Sequence, residues 1–178
     1  MTLPLNAGTY SADAVHSSVA FSVRHLGLAR VRGSFTDFTS NLVVGADLAG
    51  SSLTAAVDLA SVNTGNAGRD AHLQGGDFFN TEVAPQMTFV STSIAESGSG
   101  YTLTGDLTLN GITAPITLDG EFLGTSTFPT DQSQRAGFAF TGTLSRKAHG
   151  MEFDAPAGAD KLMLGDKVAI ELDAQFVL

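Results

Sequence analysis

The sequence contains no cysteine and no tryptophan. The first absence removes disulfides, thiolate metal sites and cysteine nucleophiles together, and leaves the redox compartment open. Cations are scarce. Nine Lys and Arg against 18 Asp and Glu give a formal net charge of −9, so the surface as a whole is expected to repel phosphate backbones and anionic lipid headgroups, and nucleic-acid binding is not expected. No run approaches the roughly 18 consecutive apolar residues that span a bilayer, because Gly, Ser, Thr or a charge interrupts each one, so membrane insertion is not expected either. Long stretches of Ala, Leu, Glu and Lys, which build extended helices, are also missing. The opening Met1–Asn6 has neither the charged start nor the apolar stretch of a secretory signal. A cytoplasmic location is therefore expected, or a periplasmic or secreted one if the sequence is a trimmed product.

What is present is a folding composition of 43% hydrophobic and 15% charged residues over 178 positions, which fits one domain spanning 1–178. Twenty glycines and abundant Thr and Ser accompany a period-two pattern. Val15, Val19, Phe21 and Val23 alternate with His16, Ser18, Ala20, Ser22 and Arg24. The alternation returns at Ala29, Val31, Gly33 and Phe35 after Leu26-Gly27-Leu28, a connection that suits a hairpin. Further alternating stretches run through Leu53–Leu59, Tyr101–Leu109, Ile116–Phe122, Ala136–Leu144 and Val168–Phe176. Asn110-Gly111 marks a two-residue hairpin turn. Met87–Ile94 is strand-like with apolar residues on both faces, since Met87 and Phe89 stand opposite Val90 and Ile94 in register. Ser97–Gly100 reads as a turn, and Phe128–Ser133 as a loop.

Between Thr64 and Pro85 the apolar residues cluster instead of alternating. Asn66 caps a short predicted helix through Arg69–Leu73 that Gly75-Gly76 ends, and Asp77 caps one more turn through Phe78-Phe79. These stretches amount to an all-β chain of about eight long strands, each with one apolar face. Closing them into an eight-stranded antiparallel barrel removes the edges and buries that face. A sandwich is the alternative, but strands of about ten residues, some 34 Å long, favour a tall barrel. Gly33, Gly105, Gly120, Gly142, Ala29, Ala55 and Ala174 thin the inward rows, which leaves room inside.

Four segments, in order, carry a family resemblance. Ala14–Leu26 with Val31–Phe35, Arg69–Leu73 with Asp77–Asn80 and Pro85–Phe89, Gly105–Thr113 with Pro115, and Arg146–Gly150 together resemble the signatures of the YceI-like family over nearly the whole chain. Tyr10 stands where the family usually carries Trp, and His149 where it carries an aromatic residue before Gly150. The resemblance implies a lipocalin-like barrel that carries a polyisoprenoid or similar long apolar molecule, such as a prenyl pyrophosphate or a quinone, along its axis.

The candidate lumen lining is Val19, Phe21, Val23, Phe35, Phe89, Leu103, Leu107, Phe138, Phe140 and Ile170, joined by Leu73, Phe78 and Phe79 from the helical insertion near residues 66–80. Any one of these is ordinary core. As a set beside so many small residues they suit an extended hydrocarbon, which gains roughly 0.8 kcal/mol per methylene removed from water. Phe78 and Phe79 either gate one barrel end or form a fixed lid. A polar head would be met by His16, Arg24, His25, Arg69 or His72, each of which has a plain structural alternative, such as an Arg69–Asp70 ion pair. Arg24, Arg30 and Arg32 face outward by alternation.

The four histidines have no metal-ligand spacing, so no metal is expected. Ser17 and Ser18 flank His16 without a Gly-x-Ser-x-Gly elbow, so no catalytic residue is assigned. The expected function is non-catalytic binding, storage or transport of a long apolar ligand, with no cofactor required beyond that lipid and with homodimerisation left open. The alternative is an enzyme acting on a hydrophobic substrate with His16, His25 or His72 as acid or base. A third reading is an interaction module with a filled interior.

Overall fold

The computed structural model describes residues 2–155 and 163–178. Its strands are β1 (Gly8–Ala12), β2 (Ser18–His25), β3 (Ala29–Phe35), β4 (Phe38–Val44), β5 (Ser52–Asp58), β6 (Val62–Asn63), β7 (Gln86–Ser97), β8 (Gly100–Leu109), β9 (Ile112–Thr127), β10 (Gln134–Ser145) and β11 (Leu164–Val177). One helix, α1 (Ala67–Gln74), lies between β6 and β7.

The ladders close a ring of eight antiparallel strands in the order β1-β4-β5-β7-β8-β9-β10-β11, with β11 returning to β1. The expected eight-stranded barrel is present, but its membership differs from the alternation reading. β1 and β4 are wall strands that the pattern did not single out, because Ser40 and Asn41 interrupt the apolar rhythm of Phe38–Val44. The β2–β3 hairpin is not one of the eight. It adds to the other edge of β11 through Leu164–Asp173, and its far strand ends on the two-residue β6 by pairing Phe35 with Val62. β11 thus serves β2 along most of its outer edge and β1 only at Phe176 and Val177. Val15, read as the first strand residue, lies outside β2 and is 86% exposed.

The hairpin turns follow their sequence signals. Asn110 and Gly111 both adopt positive φ, 53° and 72°, and Leu109 pairs with Ile112 across them. Leu26 and Gly27 do the same at 55° and 70° between His25 and Ala29. The two-faced reading of Met87–Ile94 has a simple cause. A bulge between Ser91 and Ser93 shifts the register, so that Met87, Phe89 and Ile94 all point inward while Val90 lies outside. Helix α1 begins as expected, with Asn66 Oδ1 accepting from Arg69 N at 2.9 Å, and Gly75 ends it. Asp77 caps no further helical turn: Gly76–Phe79 is a tight turn, and the Asp77 carboxylate takes His72 Nε2 at 2.8 Å instead.

The inward glycines do not simply leave holes. A Cβ on Gly33 would meet the Phe21 ring at 2.5 Å, one on Gly120 the Phe140 ring at 2.8 Å, and one on Gly142 the Leu118 side chain at 2.4 Å. Phe21 and Phe140 are the direct cross-strand partners of Gly33 and Gly120. Each ring folds flat over its glycine and stays against the wall, so the axis is cleared because the aromatics lie down. Ala29, at the hairpin tip, is exposed and thins no inner row.

Gly105 is the tightest of these positions, because its Cβ would meet both the Phe89 ring at 2.4 Å and the backbone oxygen of Val90 at 2.5 Å. The Gly105→Ala variant is expected to lose about 1–3 kcal/mol. Urea titration checks this as a lower midpoint at unchanged m-value.

Candidate functional site

The inward rows enclose a chain of apolar compartments. The largest, about 110 Å³, is lined by Val19 of β2, Leu53, Ala55 and Val57 of β5, Met87 and Phe89 of β7, Leu103 and Leu107 of β8, Ile116 and Leu118 of β9, Phe140 of β10, and Ile170, Leu172, Ala174 and Phe176 of β11. Its polar residues are Ser17, Ser18, Thr39, Ser40 and Asp173. These come from the beginning of β2, from β4 and from the far part of β11, where the hairpin and the ring diverge. Among the described residues no ladder joins β2 or β3 to β4. That seam is the mouth.

A second compartment of about 90 Å³ lies toward α1, lined by Phe21, Val23, Phe35, Leu73, Phe78, Phe79, Leu109, Leu144, Met151, Leu164 and Val168. Met87 and Ile170 belong to both compartments and form the partition between them. A third void of about 20 Å³ extends past Leu53, Leu103 and Phe140 to Leu42, Ile94, Tyr101 and Phe138. A void of the first size holds several waters by volume, but water needs two to four polar partners, and these walls offer them only at the mouth. Phe78 and Phe79 are buried, and Phe35 packs on Phe79 with ring centroids 5.8 Å apart, so this end is capped by aromatic rings.

All thirteen residues expected to line the lumen border one of these three voids, with Phe138 in the smallest and Ile170 on the partition. Ile116, Leu118, Val168 and Leu172 are further lining residues and show the same alternation. Phe38 and Met151 had no such signal: the first lies on the unrecognised β4, and the second on the loop after β10.

The five residues expected to meet a polar head are not brought together. Arg69 is spent on Thr64, its Nε donating to Oγ1 at 2.7 Å and its Nη2 to the carbonyl at 2.9 Å. His72 pairs with Asp77 and stacks edge-on against Phe78 and Phe153, outside the lumen. Arg24 is exposed on the outer face. His25 holds the inward register at the rim of the second compartment, opposite Leu164. His16 borders a separate open cavity of about 420 Å³ with Phe128, Arg135 and Gln175.

Among the described residues, the cation that borders the lumen is Arg146, and its side chain is only 3% exposed. Its guanidinium is saturated: Nε donates to the Gly165 carbonyl, Nη1 to Met151 and Phe153, and Nη2 to the Leu164 carbonyl and to Asp154. Burial raises the Asp154 carboxyl, but backbone N–H groups of Leu164, Ala155 and Met163 and the Arg146 charge outweigh it and hold the group below its ordinary value. Arg146 therefore ties the loop after β10 to β11, and no donor is left over for a ligand. His149 is buried, with Nδ1 at 3.1 Å from the Ile112 carbonyl.

The sequence profile of the YceI-like domain matches residues 10–176. The chain belongs to the YceI-like family. A UPF0312 protein of Staphylococcus aureus strain USA300 is 39% identical over 170 residues, covering 94% of this YceI-like chain and 96% of the relative. Among solved structures, the Campylobacter jejuni YceI protein aligns with a TM-score of 0.72 at 26% identity, over 87% of this chain and 89% of that one. Burkholderia cenocepacia BcnA shares the fold with a TM-score of 0.79 at 23% identity, covering 92% and 98% of the two chains. A polyisoprenoid-binding domain from Saccharophagus degradans shares it at 0.65 and 17% identity, over 94% and 97%. Among the described residues of this YceI-like chain, no group of three or more His, Asp or Glu side chains is placed to hold a metal, and no helix is long and apolar enough to cross a membrane.

Near the opposite end from α1, Asp13 bonds both Arg135 and His16, the latter at 2.8 Å. These two hydrogen bonds, Arg135 foremost, hold the Asp13 carboxyl well below the usual carboxylate range. A depressed folded value means stability that is present above the unfolded value near 3.9 and is lost as the pH falls below it. The wild type is therefore expected to lose unfolding free energy more steeply than Asp13→Asn below about pH 4, as read by urea titration across that range.

Proposed function

We propose that this protein binds a long, flexible apolar molecule of the polyisoprenoid class in its lumen, and stores or passes it on without chemical change. The observation that carries this reading is that the two larger voids lie next to each other across a partition of two side chains. Two apolar compartments meet at Met87, an unbranched and adaptable side chain, and at Ile170, and among the described residues the polar lining of the larger one stands at its mouth. An extended hydrocarbon that turns Met87 aside gains roughly 0.8 kcal/mol for each methylene buried, and the flat aromatic walls adapt to kinked isoprene units. The likeness to a polyisoprenoid-binding domain supports the same class of cargo. Because Arg146 is saturated, any head group stays at the mouth among Ser17, Ser18, Ser40 and Asp173.

Native mass spectrometry after incubation with prenyl lipids of graded length is expected to show one bound molecule of unchanged mass. Val168→Phe, which fills the second compartment, should weaken long chains roughly tenfold or more, the worth of about two methylenes, and spare short ones. Ala55→Phe, in the larger compartment, should weaken both. A chain that stays empty with every lipid offered overturns the proposal. Turnover of a lipid that is lost in His16→Ala, His25→Ala or His72→Ala would establish the enzymatic alternative instead.

A further inference from the structure

The acidic character of this chain is not evenly spread. Residues 14–36, which hold the whole β2–β3 hairpin, contain none of the 18 acidic residues and include three arginines. Arg24 pairs directly with Arg30 across the two strands, and Arg32 pairs with Ser22 one step further along the same outward row. Lys167 extends the row onto β11, next to Val168, which pairs with Val23. All four side chains are exposed, and among the described residues none of them makes a hydrogen bond or ion pair through its charged group. Like charges set opposite each other on a sheet are destabilising unless an anion lies between them.

The tip of this hairpin is apolar. Leu28 is 81% exposed, and Leu26 occupies a left-handed position, φ 55°, that disfavours any residue with a bulky side chain. The equivalent turn between β8 and β9 uses Asn110 at φ 53°, the residue type suited to it. The chain thus keeps a half-buried leucine at a strained turn position and an exposed one beside it, at the end of an outward row of cations.

We propose that the β2–β3 hairpin docks on an anionic phospholipid surface, with Leu28 entering the headgroup region and Arg24, Arg30, Arg32 and Lys167 facing the lipid phosphates. An apolar tip with cations on its outward face is complementary to an interface that is negative outside and oily beneath, whereas a nucleic acid offers nothing for Leu28. The net charge of −9 does not forbid this, because charges more than about 10 Å away are largely screened at 0.1 M salt. The inner face of the same hairpin supplies Phe21 and Val23 to the second compartment, so docking sets that end of the lumen against the bilayer.

The test is co-sedimentation of the full chain with phosphatidylcholine vesicles, with and without phosphatidylglycerol. Docking needs no cargo, so this outcome is independent of the lumen proposal. Binding to the anionic vesicles alone is expected, weakened by 0.5 M salt. Replacing all three arginines by Gln should lower it about 100-fold, since each cation near such a surface contributes about fivefold. Leu28→Ser should lower it severalfold without changing the thermal unfolding midpoint. Equal binding to both vesicle types, or an arginine-free hairpin that binds as the wild type does, overturns the proposal. So does duplex DNA bound as tightly and indifferent to Leu28→Ser.

Discussion

The lumen exists because one strand edge is shared. β11 gives most of its outer edge to β2 and only its last residues to β1, and β1 carries the ring on to β4 through Gly8–Ser11. Two residue pairs, Ser11 with Val177 and Ala12 with Phe176, therefore close the barrel. The hairpin that was displaced from the ring lies alongside it as a second wall, and the seam between the two walls is where the larger compartment reaches solvent. A ring closed along its full height would have no side entrance, and one left unclosed would expose sheet edges.

Polar chemistry is kept to the two ends. At the α1 end Arg146 gathers four carbonyls and the Asp154 carboxylate, which fastens the loop after β10 to β11. At the other end Asp13 bridges Arg135 and His16 and ties the β1–β2 connection to β10. Both clusters consume the charges they contain, which leaves the middle dry. A dry interior with some free volume is the condition under which burial of hydrocarbon, rather than any specific polar contact, supplies binding.

The lining was legible in advance because side-chain direction alternates strictly along a strand, so Val19, Phe21 and Val23, or Leu103 and Leu107, could be assigned to one face without knowing their neighbours. The pattern failed where that strictness fails. The bulge after Ser91 made a one-faced strand look two-faced, and the polar interruption in Phe38–Val44 concealed β4. The polar candidates failed for a different reason. Whether Arg69 meets a ligand or its own Thr64 carbonyl depends on which acceptor lies within 3 Å, and a one-dimensional pattern carries no such distances.

The sequence by itself determined that the chain is a β protein with one oily and one wet face per strand, where its tight turns fall, and which family it resembles, because period-two hydrophobicity and turn chemistry are local properties. Only the tertiary structure decided which strands close the ring, that glycines are roofed by rings instead of empty, and that the cations of three neighbouring strands converge on one outer patch. Those outcomes depend on pairings between segments far apart in the chain, and it is the summed packing of the whole barrel that selects among them.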